Sequence, residues 1–275
     1  MWHKINSFVR ANTILSAILL AAFFVLLATA VGLPTMQGGM KQKTGMPIML
    51  VYQVLLAAIG ILFMRKLQVL DEGDFKFNNT GKGFFLGWLV FVLMTIMVIT
   101  SFSSRSKYFV APEPLFLLTV ILFPFSTGLL EEVVFRGIVL KTLLNKMGGT
   151  KIGMINAFII SAALFAAVHS IHLIWTTPIE VAADLLFAVA GGMLLGAIYL
   201  RAKTLVAPIL LHGLLNLSGG IFAAFTSPEY TAAGTTLDDI FIMVIVAIPL
   251  IITAFVLLRK VKPDEITKRE PRLSQ

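Results

Sequence analysis

The sequence predicts an all-α, polytopic membrane fold of about eight transmembrane helices, and three observations carry that prediction. Of the 275 residues, 58% are hydrophobic and 13% charged, against about 45 to 50% apolar and about 25% charged in soluble domains. Eight apolar stretches reach the roughly 20 residues that a spanning helix needs. The basic residues, 22 Lys and Arg in a chain of net charge +8, fall almost entirely in alternate loops. With a cytoplasmic N-terminus, only Lys41, Lys43, Arg105 and Lys107 lie on the outer side. That asymmetry orients the helices under the positive-inside rule and predicts both termini inside.

The first stretch, residues 13 to 33, follows Lys4 and Arg10 and lacks a small-residue cleavage site, so it reads as a retained signal anchor. Stretches at 46 to 64 and 83 to 102 follow, interrupted by few polar residues. The fourth, 113 to 135, runs on towards residue 145. As one straight helix, 113 to 145 would be about 50 Å long against a hydrocarbon core of about 30 Å. It must therefore tilt, bend near Pro124 or end in an interfacial stretch. Stretches at 152 to 173, 179 to 200, 204 to 226 and 237 to 258 complete the set. Gly192 and Gly196 give the sixth a small-residue face suited to close helix packing.

Only short loops remain, so residues 1–275 form a single integral membrane domain with a basic cytoplasmic tail at 259–275. The tail residues Arg259, Lys260, Lys262, Lys268, Arg269 and Arg272 are explained by a stop-transfer flank, with attraction to anionic lipid as the alternative. Membrane lipids are the expected surroundings, and a charge that is largely topological gives no reason to expect nucleic acid as a partner. The size and the lack of a targeting extension suggest a bacterial plasma membrane. With no cysteine, thiol nucleophiles, Cys-ligated zinc and Fe–S clusters are excluded.

Ionisable groups inside spans cost about 2.5 to 3.5 kcal/mol each on insertion scales and usually face a cavity or a partner. The fourth stretch carries Glu131, Glu132 and Arg136. Glu132 and Arg136, four apart, share a helix face, while Glu131 is turned about 100° away. One acid can thus be neutralised while the other points elsewhere. His169 follows Phe165 by one turn in the fifth stretch, and His212 precedes Asn216 by one turn in the seventh, so each pair can face one groove. An acid, two imidazoles and an amide suit hydrolysis: a general base for water, imidazoles that hold it, and donors for an oxyanion. Glu131, His169 and His212 would equally serve as a Zn²⁺ ligand set, so zinc is a candidate cofactor. Taken singly, a membrane histidine is an interhelical hydrogen bond and Glu132 with Arg136 a structural ion pair; the conjunction on three spans is what points to a site. His172 reads as structural or interfacial, as do Glu180 and Asp184 near the outer start of the sixth stretch.

Glu-Glu-x-x-x-Arg at 131 to 136, Phe-x-x-x-His at 165 to 169 and His-x-x-x-Asn at 212 to 216 resemble, in order and spacing, the three motifs of the CPBP family, named for CAAX proteases and bacteriocin-processing proteins and also called Abi. The resemblance covers about 113–220, which would form the catalytic core. It implies an eight-helix intramembrane endopeptidase acting on membrane-associated peptides, whether prenylated CAAX-type or bacteriocin and leader peptides. Glu131 would activate water, His169 would assist or bind it, and His212 and Asn216 would stabilise the oxyanion. Glu132 and Arg136 would position the first motif. Whether such enzymes act as metalloproteases or through glutamate alone stays open. The alternative is a non-catalytic regulator or bacteriocin-immunity protein on the same fold.

Overall fold

The computed structural model describes residues 2–37, 42–227, 229–230 and 234–267. These residues form α1 (Trp2–Ala11), α2 (Thr13–Gln37), α3 (Gln42–Lys66), α4 (Thr80–Leu86), α5 (Trp88–Arg105), α6 (Pro114–Glu132), α7 (Lys141–Met147), α8 (Lys151–Ala167), α9 (Pro178–Ala202), α10 (Val206–Gly220), α11 (Leu237–Arg259) and α12 (Pro263–Thr267). Among the described residues, eight helical segments are long and apolar enough to cross a membrane. The chain is an all-α multi-pass membrane protein, as the composition predicts. Lys268, Arg269 and Arg272 of the basic tail lie outside the described residues.

The bundle is organised around α9, whose second half is buried continuously from Gly192 to Leu200. It packs against α8, α10 and α11, and α6 is held between α3 and α10. Small residues let these helices meet: a Cβ at Gly192 would come within 2.9 Å of the Phe165 ring, and one at Gly196 within 3.2 Å of the Phe158 ring. Those contacts bear out the packing role read from the two glycines. The outward faces are apolar and exposed, with Val51, Leu55 and Leu62 on α3 and Phe241, Ile245 and Ile252 on α11. Lipid is the solvent such faces require.

Three features depart from the sequence reading. The third stretch is broken: α4 stops at Leu86 and α5 begins at Trp88, with Gly87 between them. Here a Cβ at Gly87 would come within 2.6 Å of Leu211, so the break lets the chain press against α10. The fourth segment stays helical through Pro124, and its α geometry changes at Val133–Leu140, an eight-residue π-helical stretch. Pro124 has no amide proton to give, yet it is buried without ending the helix. In the wider π stretch the Phe135 carbonyl accepts from Ser161 Oγ at 3.2 Å, a partner supplied by α8. Finally, α1 precedes the first span as a short helix, its Trp2 ring set edge-on to Phe63.

Two basic residues counted towards topology are internal. Arg136 and Lys141 are both buried, which trims the charge asymmetry without reversing it. Lys141 Nζ donates to the Val69 carbonyl at 2.7 Å and pairs with Asp71 at 2.9 Å and more closely with Asp74. Asp74, itself buried, also accepts from Tyr199 Oη at 3.0 Å and from the Asp71 amide at 2.8 Å. This network ties the loop after α3 to the start of α7 and to α9. Lys151 is also engaged, donating to the Leu258 and Val261 carbonyls at 2.8 and 2.9 Å at the end of α11, where a helix leaves its last carbonyls without partners.

Candidate functional site

The first and third motifs meet because two glycines allow α6 and α10 to touch. A Cβ at Gly128 would lie 3.0 Å from the Ile209 carbonyl oxygen and 3.1 Å from the Gly213 amide nitrogen, and one at Gly213 would overlap the Phe125 ring. Glu131 and Glu132 follow Gly128 by one turn, and His212 adjoins Gly213. Backbone contact at the glycines therefore sets the acids beside the imidazole.

Glu132 is the enclosed acid. It is fully buried, and its Oε1 accepts from Arg136 Nη1 at 2.7 Å and from His212 Nδ1 at 2.8 Å. Arg136 spends its second nitrogen on the Gly192 carbonyl, 2.9 Å away. Its guanidinium sits 4.6 Å from the centre of the Phe165 ring, a cation–π contact strengthened by exclusion of water. The pair is thus hydrogen-bonded as well as charge-matched through Oε1, while Glu132 Oε2 is buried without a hydrogen-bond partner among the described residues. Donation from His212 Nδ1 to Glu132 leaves Nε2 as the variable nitrogen. It lies 3.4 Å from Glu131 Oε2, so the two ring nitrogens face the two adjacent acids.

Glu131, turned away from this network, has 27% of its side chain accessible. It opens on a cavity of about 150 Å³ that it lines with His169, His172, Thr127 and Gln53. The second motif reaches the cavity where α8 tightens into the 3-10 turn Val168–Ile174. That change of pitch frees carbonyls of the last α turn, and His169 Nδ1 donates to the Phe165 carbonyl at 2.8 Å. With Nδ1 carrying the proton, Nε2 presents a lone pair. Phe165 joins the three motifs: its ring lies 5.0 Å from that of His169, 6.0 Å from that of His212 and under Arg136.

Six of the seven residues singled out by the motifs are therefore linked: Glu131, Glu132, Arg136, Phe165, His169 and His212. Because α10 starts at Val206, His212 lies in its second turn. Asn216 is the exception. It is exposed on α10, does not line the cavity, and its side chain makes no hydrogen bond among the described residues. His172, read as structural or interfacial, lines the cavity and binds Asp184 Oδ2 through Nδ1 at 2.9 Å. Glu180 forms a capping box with Thr177 at the start of α9.

The motifs do not reveal the part of the wall that comes from α2 and α3, through residues such as Phe24, Ala28 and Gln53. The only signal for Gln53 is a carboxamide in an otherwise apolar run. For Zn²⁺, the described residues contain no group of three or more His, Asp or Glu arranged to hold a metal ion. His212 offers its nitrogens to Glu132 and Glu131, so the expected trio does not fit as it stands.

Residues 113–218 match the family model described as type II CAAX prenyl endopeptidase Rce1-like, in agreement with the CPBP resemblance. Comparison with curated proteins and with solved structures gave no match. The family match supports an intramembrane endopeptidase at the level of the family.

Proposed function

We propose, taking the type II CAAX prenyl endopeptidase Rce1-like match of residues 113–218 as the premise, that the chain hydrolyses peptide bonds of membrane-associated peptides by water activated at Glu131. Prenylated CAAX-type peptides are the first substrate class to test, with bacteriocin and leader peptides next. The observation that carries the reading is the division of labour between adjacent acids. Glu132 is consumed by Arg136 and His212, while Glu131 faces the cavity together with His169.

A water held between Glu131 and His169 Nε2 gives one proton towards each and turns its lone pair to the scissile carbonyl. Glu131 takes a proton as the oxygen–carbon bond forms and the carbonyl electrons move onto oxygen. Collapse of the tetrahedral species breaks the carbon–nitrogen bond. The proton passes to the leaving amine, leaving a new carboxylate. His212 Nε2, 3.4 Å from Glu131, shares that proton during the cycle, and Glu132 and Arg136 hold His212 in orientation. Asn216 lies one turn beyond His212 but outside the cavity wall, so no step is assigned to it. No step requires a metal, and chelation by itself is expected to leave the rate unchanged.

A bacterial host carrying the wild type or Glu131→Gln provides the test, by mass spectrometry of the C-terminal ends of membrane peptides. Shortened ends that appear only with the wild type support the reading. Identical end profiles would overturn it in favour of a non-catalytic regulator. The cell membrane as location, with both termini cytoplasmic, belongs to the same proposal and rests on the basic-residue asymmetry.

A further inference from the structure

We infer that Gln53 is a substrate-binding residue of this site, donating its side-chain amide to a carbonyl of the peptide in the cavity. The inference rests on the endopeptidase reading and extends it to α3, outside the family match.

Gln53 is 7% exposed, yet it lines the same cavity as Glu131 and His169. Its Oε1 is held from α6, by Ser126 Oγ at 2.6 Å and Thr127 Oγ1 at 3.2 Å. Each hydroxyl has one proton and also reaches the Phe123 carbonyl, Ser126 Oγ at 2.8 Å and Thr127 Oγ1 at 3.2 Å, so the shorter Ser126 contact is the one that orients the carboxamide. Thr127, also on the cavity wall, precedes Glu131 by one turn on the same helix face. Among the described residues the Nε2 group makes no hydrogen bond, and it keeps some accessible surface on a residue that lines the cavity.

An ordinary interhelical tether between α3 and α6 would account for Oε1 alone. It gives no reason for an amide nitrogen left without a partner, on a residue that lines a cavity holding a carboxylate and an imidazole. A peptide entering beside Glu131 brings carbonyl oxygens that lose their water, and a fixed donor meets that need without reorganising. Glu131, His169 and His212 are disposed to handle protons and water, so a neutral amide supplies what they lack: a donor that never changes its charge.

The test measures turnover of a farnesylated CAAX-type peptide by purified protein in detergent, comparing wild type, Gln53→Met, Gln53→Glu and the double variant Ser126→Ala/Thr127→Val. Gln53→Met keeps the length of the side chain without polar atoms. Gln53→Glu keeps acceptors for both hydroxyls but has no amide to donate. Both are expected to lose at least about tenfold in kcat/KM. A loss of about 10² to 10³ confined to kcat would identify the contact as one to the oxyanion. The double variant, which keeps the amide, is expected to lose less. Wild-type turnover by Gln53→Glu or Gln53→Met, beside an inactive Glu131→Gln, overturns this inference and leaves the endopeptidase reading standing. An equal loss in the double variant also overturns it, since the tether would then be the whole role. Absence of turnover by the wild type overturns both.

Discussion

A step of one residue along a helix turns a side chain by about 100°, and at Glu131 and Glu132 that step separates two kinds of carboxylate. Glu132 lies against Arg136 and His212 with no exposure, and Glu131 keeps about a quarter of its surface open to the cavity. Their variants should fail differently. Glu132→Ala strands a buried guanidinium, a change that costs about 3 to 5 kcal/mol when a buried pair is broken. Thermal unfolding in detergent should therefore show a markedly lowered Tm. Glu131→Ala removes a group that already meets the cavity, so the protein should unfold close to the wild-type temperature while losing activity. The reverse pattern would contradict the assignment. This division was legible in the sequence, because Arg136 four residues on favours Glu132. The tie between Glu132 and His212 was not, since it depends on how closely α6 approaches α10.

At the scale of elements, the irregular segments matter more than the regular ones. The π-helical stretch Val133–Leu140 starts directly after the two acids, and the 3-10 turn Val168–Ile174 begins one residue before His169. Hydropathy marks both places as continuous spans, because local winding depends on partners supplied by other helices, such as Ser161 for the Phe135 carbonyl. The same limit hid the Lys141 network. In sequence, Lys141, Asp71 and Asp74 are ordinary loop charges; in the fold, Lys141 and Asp74 are buried and joined to Tyr199. Asp74→Ala should destabilise the protein towards the lower end of about 3 to 5 kcal/mol, because Asp71 and the Val69 carbonyl remain for Lys141. Denaturation of purified protein would measure that loss. Activity per folded molecule should be retained, since the network lies outside the cavity.

For the whole molecule, the number of spans and their approximate bounds follow from apolar length alone, because each must cross about 30 Å of hydrocarbon. The assembly of the cavity does not. Three motifs mark the candidate site, yet part of the wall comes from α2 and α3, helices whose sequence carries no motif. Apolar side chains such as Phe24 and Ala28 look the same whether they face lipid, a neighbouring helix or a cavity. Asn216 shows the opposite case: a residue matched by spacing that the fold leaves exposed. The central claim is that this enclosed arrangement lets Glu131 deliver water to a peptide bond inside a membrane protein. Its most direct test is cleavage of a farnesylated CAAX-type peptide by purified, folded wild type and Glu131→Gln, with products identified by mass spectrometry. The account predicts a shortened peptide from the wild type and none from the variant; equal cleavage by a folded Glu131→Gln would contradict it.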